Sequence, residues 1–553
     1  MAGDLDYLKK QGDSLFTTRH NLLNLWQTLA DNFYPERADF TTVRSLGEEF
    51  ASGLMTSYPL LTRRDLGNSF GSMLRPTSKE WFKVVTDNYE KIGADAKAWL
   101  EWATRLQKRA MYDKRAMMVR ATSEGDQDFA TFGQCAISVE MNMREMCLLY
   151  RCWHLRDVAW AEDEVGQVGT LYRKWKPTAI SLQRTFGKDN IHPKVAEAIK
   201  NKQPLKEFNV WHCLIPVDHY DGTDKNGKPF TTPFVSIYFD RTNNHEIECV
   251  GAHGIDYVLP RWQTVSGSQY AYSPATVAAL PDARLIQSMT RVLLEAGEKA
   301  VDPPMVAVQD MIRSDISIYA GGITWVDADY DERLGDVLRP ISQNTTGIPL
   351  GVDMSQGVMR MIREAFYLDK LALPPPDARM TAYEVGHRVQ EYIRQALPLF
   401  EPMEMEYNGR LCDLTFDVLQ RYHAFGSPHD KPKELINTDV QFQFESPLRE
   451  ATERAKGQRF IESKEMLAHA LDIDPGAKYV LDVNVALRDV FEGIGVPFKW
   501  TRSTEEAQAL SAAEQQSMQA QDQLAQMTEG AKAAKLISEA SRGQQQAAPV
   551  AVQ

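Results

Sequence analysis

Between about residue 130 and residue 265 the apolar side chains recur with a period of two, and on both sides of that stretch they recur at helical spacing. The β-type runs are Ile137-Ser138-Val139-Glu140-Met141, Val210-Trp211-His212-Cys213-Leu214-Ile215-Pro216-Val217, Phe234-Val235-Ser236-Ile237-Tyr238-Phe239 and Glu246-Ile247-Glu248-Cys249-Val250. They are rich in β-branched and aromatic residues, and Asp221-Gly222 and Asn226-Gly227 punctuate them as turns. Strands that follow one another with tight turns form an antiparallel meander. The fold class is therefore α+β, mainly helical, rather than a series of βαβ units.

The N-terminal third reads as helix. Leu5, Leu8, Leu15, Leu22, Trp26, Leu29 and Phe33 share one face until Pro35 ends the pattern. A second helix is predicted from about Ser45, with Phe50, Leu54, Leu61, Leu66, Phe70 and Met73 on its apolar side, before Arg75-Pro76 and a strand at Trp81-Phe82-Lys83-Val84-Val85. A third is predicted from about Ala94 to Val119, burying Trp99, Trp102, Leu106, Ala110 and Met117. Its outer side carries Arg105, Lys108, Arg109, Lys114, Arg115 and Arg120, which reads as a solvated helix face, with nucleic acid as the alternative.

Helix returns at Ser273-Pro274 and runs to about Ala300, where Asp302-Pro303-Pro304 stops it. Residues 305–347 alternate short strands and turns and are acidic. A second helix is expected from about Val352 to Leu368, so a small β-rich module sits between two helices. Leu371 to Met380 is a loop, because its three prolines exclude helix. Thr381 and Glu384 form a capping-box pattern opening a long helix to about Tyr422, bent or interrupted at Pro398, Pro402 and Gly409. From Thr504 to about Ser541 an Ala/Gln/Glu-rich helix has an apolar stripe too thin to be stable alone, which suits packing on copies of itself. The tail from Gly543 is expected to be disordered.

Several functions are excluded or disfavoured. The charge balance, 62 Lys and Arg against 75 Asp and Glu, argues against a sequence-reading DNA binder but not against a protein past which DNA slides. No run has the roughly 18 apolar residues of a membrane span, and the start lacks the apolar core of a secretion signal. Six scattered cysteines without a CxxC pair read as buried, reduced thiols made in a cytoplasm. Gly222 to Pro229 nearly matches a phosphate-binding loop, yet Pro229 replaces the magnesium-binding hydroxyl and a strand follows instead of a helix, so it reads as a hairpin turn. Cys147, Cys152, His154, His212, Cys213, His219, His245, Cys249 and His253 lack zinc-ligand spacing, apart from His245 and Cys249 four apart. No metal, no cofactor and no catalytic residues are assigned, and the acids around Asp329 read as solvated loop residues.

The order of segments and several motifs resemble the portal, or head-to-tail connector, proteins of short-tailed bacteriophages. Gly53-Leu54-Met55, Leu74-Arg75-Pro76 and Trp81-Phe82 look like the family's N-terminal helix and aromatic strand. Tyr272-Ser273-Pro274 with Ala279-Leu280-Pro281-Asp282 is similar to its entry into the first stem helix, although Ala271 follows Tyr270 where relatives usually carry glycine. Arg379-Met380-Thr381-Ala382-Tyr383-Glu384-Val385 with Arg388 and Glu391 resembles the helix after the tunnel loop and is the most specific signature. Ile461 to Ile494 before the Ala/Gln-rich helix fits the crown.

The resemblance implies a dodecameric ring around a channel at one capsid vertex, with wing, stem, clip and crown regions. By segment order, residues 1–272 are the N-terminal part of the wing, 273–300 the first stem helix, 301–349 the clip and 350–368 the second stem helix. Residues 369–380 are the tunnel loop, 381–455 the long kinked helix and the C-terminal part of the wing, 456–541 the crown or barrel, and 542–553 a disordered tail. The implied activity is passage of double-stranded DNA, bound without sequence preference, in packaging and ejection. The implied partners are further copies of the chain, the terminase large subunit, tail adaptor or head-completion proteins, and the major capsid and scaffolding proteins, without a membrane. The place of action is the portal vertex of the virion, after synthesis in the host cytoplasm. Arg360, Arg363, Lys370 and Arg379 are the expected DNA-facing residues, ahead of Arg284 and Arg291, with an exposed or subunit-bridging role competing at each. Leu371 and Leu373 with Pro374, Pro375 and Pro376 are the expected constriction, and Asp327, Asp329 and Asp331 the docking acids of the clip. An internal or tail protein of the virion is the alternative, and a nucleotide-dependent packaging or nuclease subunit a further one.

Overall fold

The computed structural model describes residues 5–45, 47–77, 79–87, 92–223, 227–307, 325, 338–340, 347–371, 403–426, 431–436 and 438–444, with scattered positions from 457 to 537 that include 460–468 and 482–494. The chain divides into two compact units. One comprises Met1–Val85, Ala103–Pro428 and Val440–Ala451; the other comprises Thr86–Trp102, His429–Asp439 and Thr452–Gln553.

The first unit opens with helices α1 (Leu5–Thr18) and α2 (His20–Phe33). The sequence predicts one helix here, and the break falls at Arg19. Its Nη1 donates to the carbonyls of Leu155 at 2.6 Å and Val158 at 2.7 Å, and Nη2 donates to that of Arg156. A buried guanidinium that finds three carbonyl acceptors decides the backbone there against helical continuity. Trp26, Leu29 and Phe33 are buried, as their spacing predicts, and so is Ala30.

Helix α3 covers Tyr58–Leu74 and not the longer stretch from Ser45, since Pro59 suits only a first turn and the preceding residues are irregular. Strand β1 is Phe82–Thr86. The expected helix over residues 94–119 is two helices, α4 (Ala94–Met111) and α5 (Met118–Phe132). Between them the Asp113 carboxylate accepts from the Arg115 backbone N–H at 2.9 Å, and Met117 turns the chain with a φ of 58°. Ala103, Gln107 and Met111 are buried on α4, whereas Trp102 and Met117 are exposed, contrary to the expected stripe.

The meander is observed. Strands β2 (Ala136–Asn142) and β3 (Cys147–Trp153) form a hairpin, followed by β4 (Val158–Glu162), β5 (Val168–Trp175), β6 (Val210–Pro216), β7 (Phe234–Asp240), β8 (His245–Ala252) and β9 (Tyr257–Val258). Strands β4 to β8 form one five-stranded antiparallel sheet in chain order, and β3, β2 and β9 form a second sheet in that order. The sequence missed β3, β4 and β5, and also α6 (Ala179–Phe186) and α7 (Pro193–Lys200), which pack on Val210 and Ile247. Leu8 of α1 joins Tyr172, Trp211, Ile215, Val235, Ile237 and Phe239 in the sheet core. Gly12 allows the approach, because a Cβ there would lie 2.4 Å from the Trp211 ring.

Two further helices and a strand pair follow: α8 (Pro274–Val301), β10 (Met305–Ala307), β11 (Leu338–Pro340) and α9 (Gly347–Ala365). Helix α9 starts earlier than predicted, and it ends earlier because Tyr367 adopts a φ of 57° before the short helix α10 (Leu368–Leu371). A π-helical turn over Met403–Gly409 then leads into α11 (Arg410–Arg421), so the expected interruption at Gly409 is present. Strand β12 (Val440–Phe444) pairs with β1, and Trp81 stacks on Phe444 with centroids 6.3 Å apart. The Thr381–Glu384 capping box lies outside the described residues.

In the second unit the Gly93 N–H donates to the Glu434 carboxylate at 2.7 Å, Lys431 lies over the Trp99 ring, and Leu100 and Leu435 are buried. Its C-terminal part includes α12 (Val483–Ile494).

Candidate functional site

Helix α8 is rooted by chemistry visible at its first residues. Ser273 caps it, its Oγ accepting from the Thr276 N–H at 3.4 Å while donating to the Ala130 carbonyl at 2.7 Å. Thr276 Oγ1 donates to the Thr131 carbonyl at 2.6 Å. Gly133, with a φ of 75°, closes α5 directly against Tyr272; a Cβ there would meet the Tyr272 backbone at 2.2 Å. Ala275, Thr276, Ala279, Ala283 and Ile286 are buried, and beyond Ile286 no residue of α8 is buried. Its 28 residues make it roughly 42 Å long.

Helix α9 runs back along it. Near the far end a Cβ on Gly351 would lie 2.7 Å from Leu293 Cδ2, so the missing side chain sets how closely the helices approach. Ser355, Val358 and Ile362 are buried on one face. At the near end Tyr58 Oη donates to the Met359 carbonyl at 3.1 Å, and Phe366 packs on Phe33 with centroids 5.5 Å apart. The pair is therefore antiparallel. Its far end carries β10 and β11, paired antiparallel with Met305 opposite Pro340 and Ala307 opposite Leu338.

Arg360 is exposed on the side of α9 away from Val358 and Ile362 and makes no ion pair among the described residues. Arg363 is also exposed, but its Nε donates to Asp369 Oδ1 at 2.5 Å, which sets a carboxylate against its charge. On α8, Arg291 pairs with Glu295 at 3.1 Å, and Arg284 is exposed without an ion pair among the described residues. Large apolar side chains are exposed on both helices: Leu285 and Val292 on α8, and Leu350, Met354 and Met361 along one line of α9. Lys370 and Leu371 belong to α10, so the first residues of the expected tunnel loop are a helical turn. Leu373, Pro374, Pro375, Pro376 and Arg379 lie outside the described residues, as do Asp327, Asp329 and Asp331.

The buried histidine and cysteines have structural surroundings. His212 is buried between Tyr257 Oη and the Ser236 hydroxyl, each 2.9 Å away, and burial holds its pKa well below the ordinary value. Burial pushes the thiols of Cys135, Cys152 and Cys412 well above theirs. Among the described residues no three His, Cys, Asp or Glu side chains gather in a metal-binding group. The near-match to a phosphate-binding loop lies between β6 and β7, and Lys228 to Thr232 lead into a strand. No described helix is long and apolar enough to cross a membrane.

Sequence reasoning missed one polar constellation. Arg75 Nη2 donates to both oxygens of Asp126, Nη1 donates to Asn408 Oδ1 at 2.8 Å, and the guanidinium lies 4.7 Å from the Tyr407 ring centroid. All are buried. The sequence signal was slight: Asp126 on the core-facing side of α5 and Arg75 at the end of α3. Nothing local links position 75 to position 408.

Residues 5–500 match the family described as bacteriophage head to tail connecting protein. The chain is 25% identical over 450 residues to the probable portal protein of Bordetella phage BPP-1, covering 79% of this chain and 78% of that one. It is 22% identical over 551 residues to the portal protein of Salmonella phage epsilon15, covering 96% and 95%. Among solved structures it is similar to a chain of the virion of a native gene transfer agent particle, with 8% identity, a TM-score of 0.35 and coverage of 74% and 86%. A chain from the neck of an empty gene transfer agent particle gives 9% identity, a TM-score of 0.36 and coverage of 80% and 90%. At these TM-scores neither likeness defines a shared fold.

Proposed function

Because the chain belongs to the family of bacteriophage head to tail connecting proteins, we propose that it is a portal: a dodecameric ring at one capsid vertex through which double-stranded DNA enters and leaves. It is a structural component of the phage particle and not an enzyme. In this reading the terminase large subunit docks on the ring and supplies the ATP hydrolysis, and tail adaptor or head-completion proteins take its place later. Major capsid and scaffolding proteins hold the ring at the vertex. The observation that carries the reading is the family match over residues 5–500.

Two features of the helical pair support it. A ring closes through heterologous contacts, so each copy must offer two different faces. The exposed strips on α8 and α9 are two such faces, and helix packing on helix suits their spacing. The second feature is charge. Affinity for DNA grows with each phosphate neutralised, so a conduit must limit its cations. With Arg363 tied to Asp369, Arg360 is the stronger DNA-facing residue, and repetition around a ring makes it a charged annulus. Lys370 and Arg379 would flank a constriction formed by Leu371, Leu373 and the three prolines, and Asp327, Asp329 and Asp331 would present the docking face of the clip.

Negative-stain microscopy of the purified chain tests the reading. Rings with a central hole are expected, and a stably monomeric or fibrous protein sinks it. The protein alone should not hydrolyse ATP. Deleting residues 371–379 should leave rings intact and impair retention of packaged DNA. Reversing the charge of Asp327, Asp329 and Asp331 should weaken terminase or adaptor binding.

A further inference from the structure

One stretch reverses the charge balance of this acidic chain. From Arg105 to Arg120 stand Arg105, Lys108, Arg109, Lys114, Arg115 and Arg120 against Asp113 alone, whereas the whole chain has 62 basic and 75 acidic residues. The fold sets the second half of this stretch beside the turn of the β2–β3 hairpin. The Tyr150 N–H donates to the Ala116 carbonyl at 2.9 Å, and Arg115 Nη1 reaches the Glu145 carbonyl at 3.4 Å.

Apolar side chains crown this juxtaposition. Met117, Val119, Met143 and Met146 are 47%, 56%, 60% and 65% exposed. Met117 and Met146 hold left-handed backbone, with φ of 58° and 49°, which side chains other than Gly, Asn and Asp seldom adopt. Lys114 and Arg144, both exposed, flank them and make no ion pair among the described residues. Beside Val119 opens a cleft of about 390 Å³ between α3 and α5. Gly67 and Gly71 leave its space, Tyr112 and Thr122 wall it, and the Arg75–Asp126 pair lies at its base.

An isolated chain gains nothing from four apolar side chains in water, two of them on turns of uncommon geometry. Methionine and arginine are the residues that interfaces enrich, and methionine adapts to an irregular partner. We propose that this methionine crest and the cleft beside it are a docking surface for a second copy of the same chain. Charge favours the same occupant: Arg115 pairs with Asp113 and Arg120 with Glu124, which leaves Lys114 and Arg144 as the basic flanks, and the chain as a whole carries more acids than bases. A DNA backbone would satisfy the arginines but would leave the methionines and the cleft empty. The identity of the occupant rests on the ring reading above, in which every copy meets its neighbours through unlike faces.

The test uses the full-length chain in three forms: wild type, Met143→Asp/Met146→Asp and Lys114→Glu/Arg144→Glu. Sedimentation and negative-stain microscopy follow assembly across protein and salt concentration. Both variants should need at least tenfold more protein to assemble, and raising salt should shrink the difference only for the charge variant. Should the aspartates disturb the fold by circular dichroism, Met143→Gln/Met146→Gln replaces that variant. A photo-crosslinking residue at position 143 should join one copy to another. Variants that assemble like wild type overturn the docking surface and leave the ring reading intact. A monomeric wild type overturns both. Unchanged assembly with lost duplex binding in Lys114→Glu/Arg144→Glu assigns the patch to phosphates and also overturns it.

Discussion

Gln287 holds Thr56 by both of its backbone polar groups: Oε1 accepts from the Thr56 N–H at 2.9 Å and Nε2 donates to the Thr56 carbonyl at 2.8 Å. The same Oε1 accepts from the Met55 N–H at 2.6 Å. One side chain thus fastens the irregular segment before α3 to α8, just where α8 leaves the buried core. Replacing it by leucine leaves two backbone donors and a carbonyl without these partners, at a cost of about 0.5–1.5 kcal/mol because water reaches them. Hydrogen exchange should accelerate at residues 55 and 56 in Gln287→Leu while the five-stranded sheet keeps its protection. Unchanged exchange there would show that water replaces the amide without loss.

The buried Arg75–Asp126 pair gives a sharper result. Burial drives the Asp126 carboxyl upward, and the Arg75 guanidinium opposes that shift. Removing one partner strands the other, so Asp126→Leu should destabilise by about 3–5 kcal/mol. Replacing both with apolar residues of similar volume should cost much less. Thermal unfolding of Asp126→Leu, Arg75→Met and the double variant measures this as a cycle, and an additive double variant would refute the coupling.

An acid-dependent contribution is expected from Asp39. Burial alone would raise its carboxyl, but hydrogen bonds from His154 Nε2 at 2.5 Å and Arg156 Nη1 at 2.8 Å outweigh it and lower its pKa from 3.8 to about 2. A carboxyl with a lowered folded pKa stabilises fully above its unfolded value, and that contribution fades as pH falls from about 4 towards about 2. Asp39→Asn should therefore be less stable than wild type at neutral pH and converge with it in this window. A constant stability difference down to pH 2 would contradict the assignment.

How much was legible in the sequence depended on how local the decisive contact is. Ser273-Pro274 and Asp302 fix the ends of α8 through residues adjacent in the chain, and both were read correctly. The period-two runs gave the meander for the same reason, since a strand's alternation records its own burial. The breaks at Arg19 and between α4 and α5 are set from afar. Arg19 leaves the helix for carbonyls around Arg156, and the turn at Met117 is fixed where Tyr150 bonds Ala116. Of the site, the helical pair and β10 were legible, but the Arg363–Asp369 tie was not, because it depends on the turn at Tyr367.

The contact of Gly351 with Leu293 makes the last prediction, on the packing of the helical pair itself. A Cβ at Gly351 would come within 2.7 Å of Leu293 Cδ2, closer than side-chain carbons tolerate. Leucine is flexible, so alanine at 351 should be absorbed by a rotamer change at little cost. Valine at 351 adds two methyl groups beyond that Cβ, and overpacking of this kind costs about 1–3 kcal/mol. Leu293→Ala opens the space and should restore much of the stability of Gly351→Val, although made alone it removes part of the contact between the two helices. The measurement is a thermal-unfolding cycle over Gly351→Val, Leu293→Ala and their combination. Recovery in the combination supports direct contact, whereas losses that simply add would place Leu293 away from Gly351 in solution.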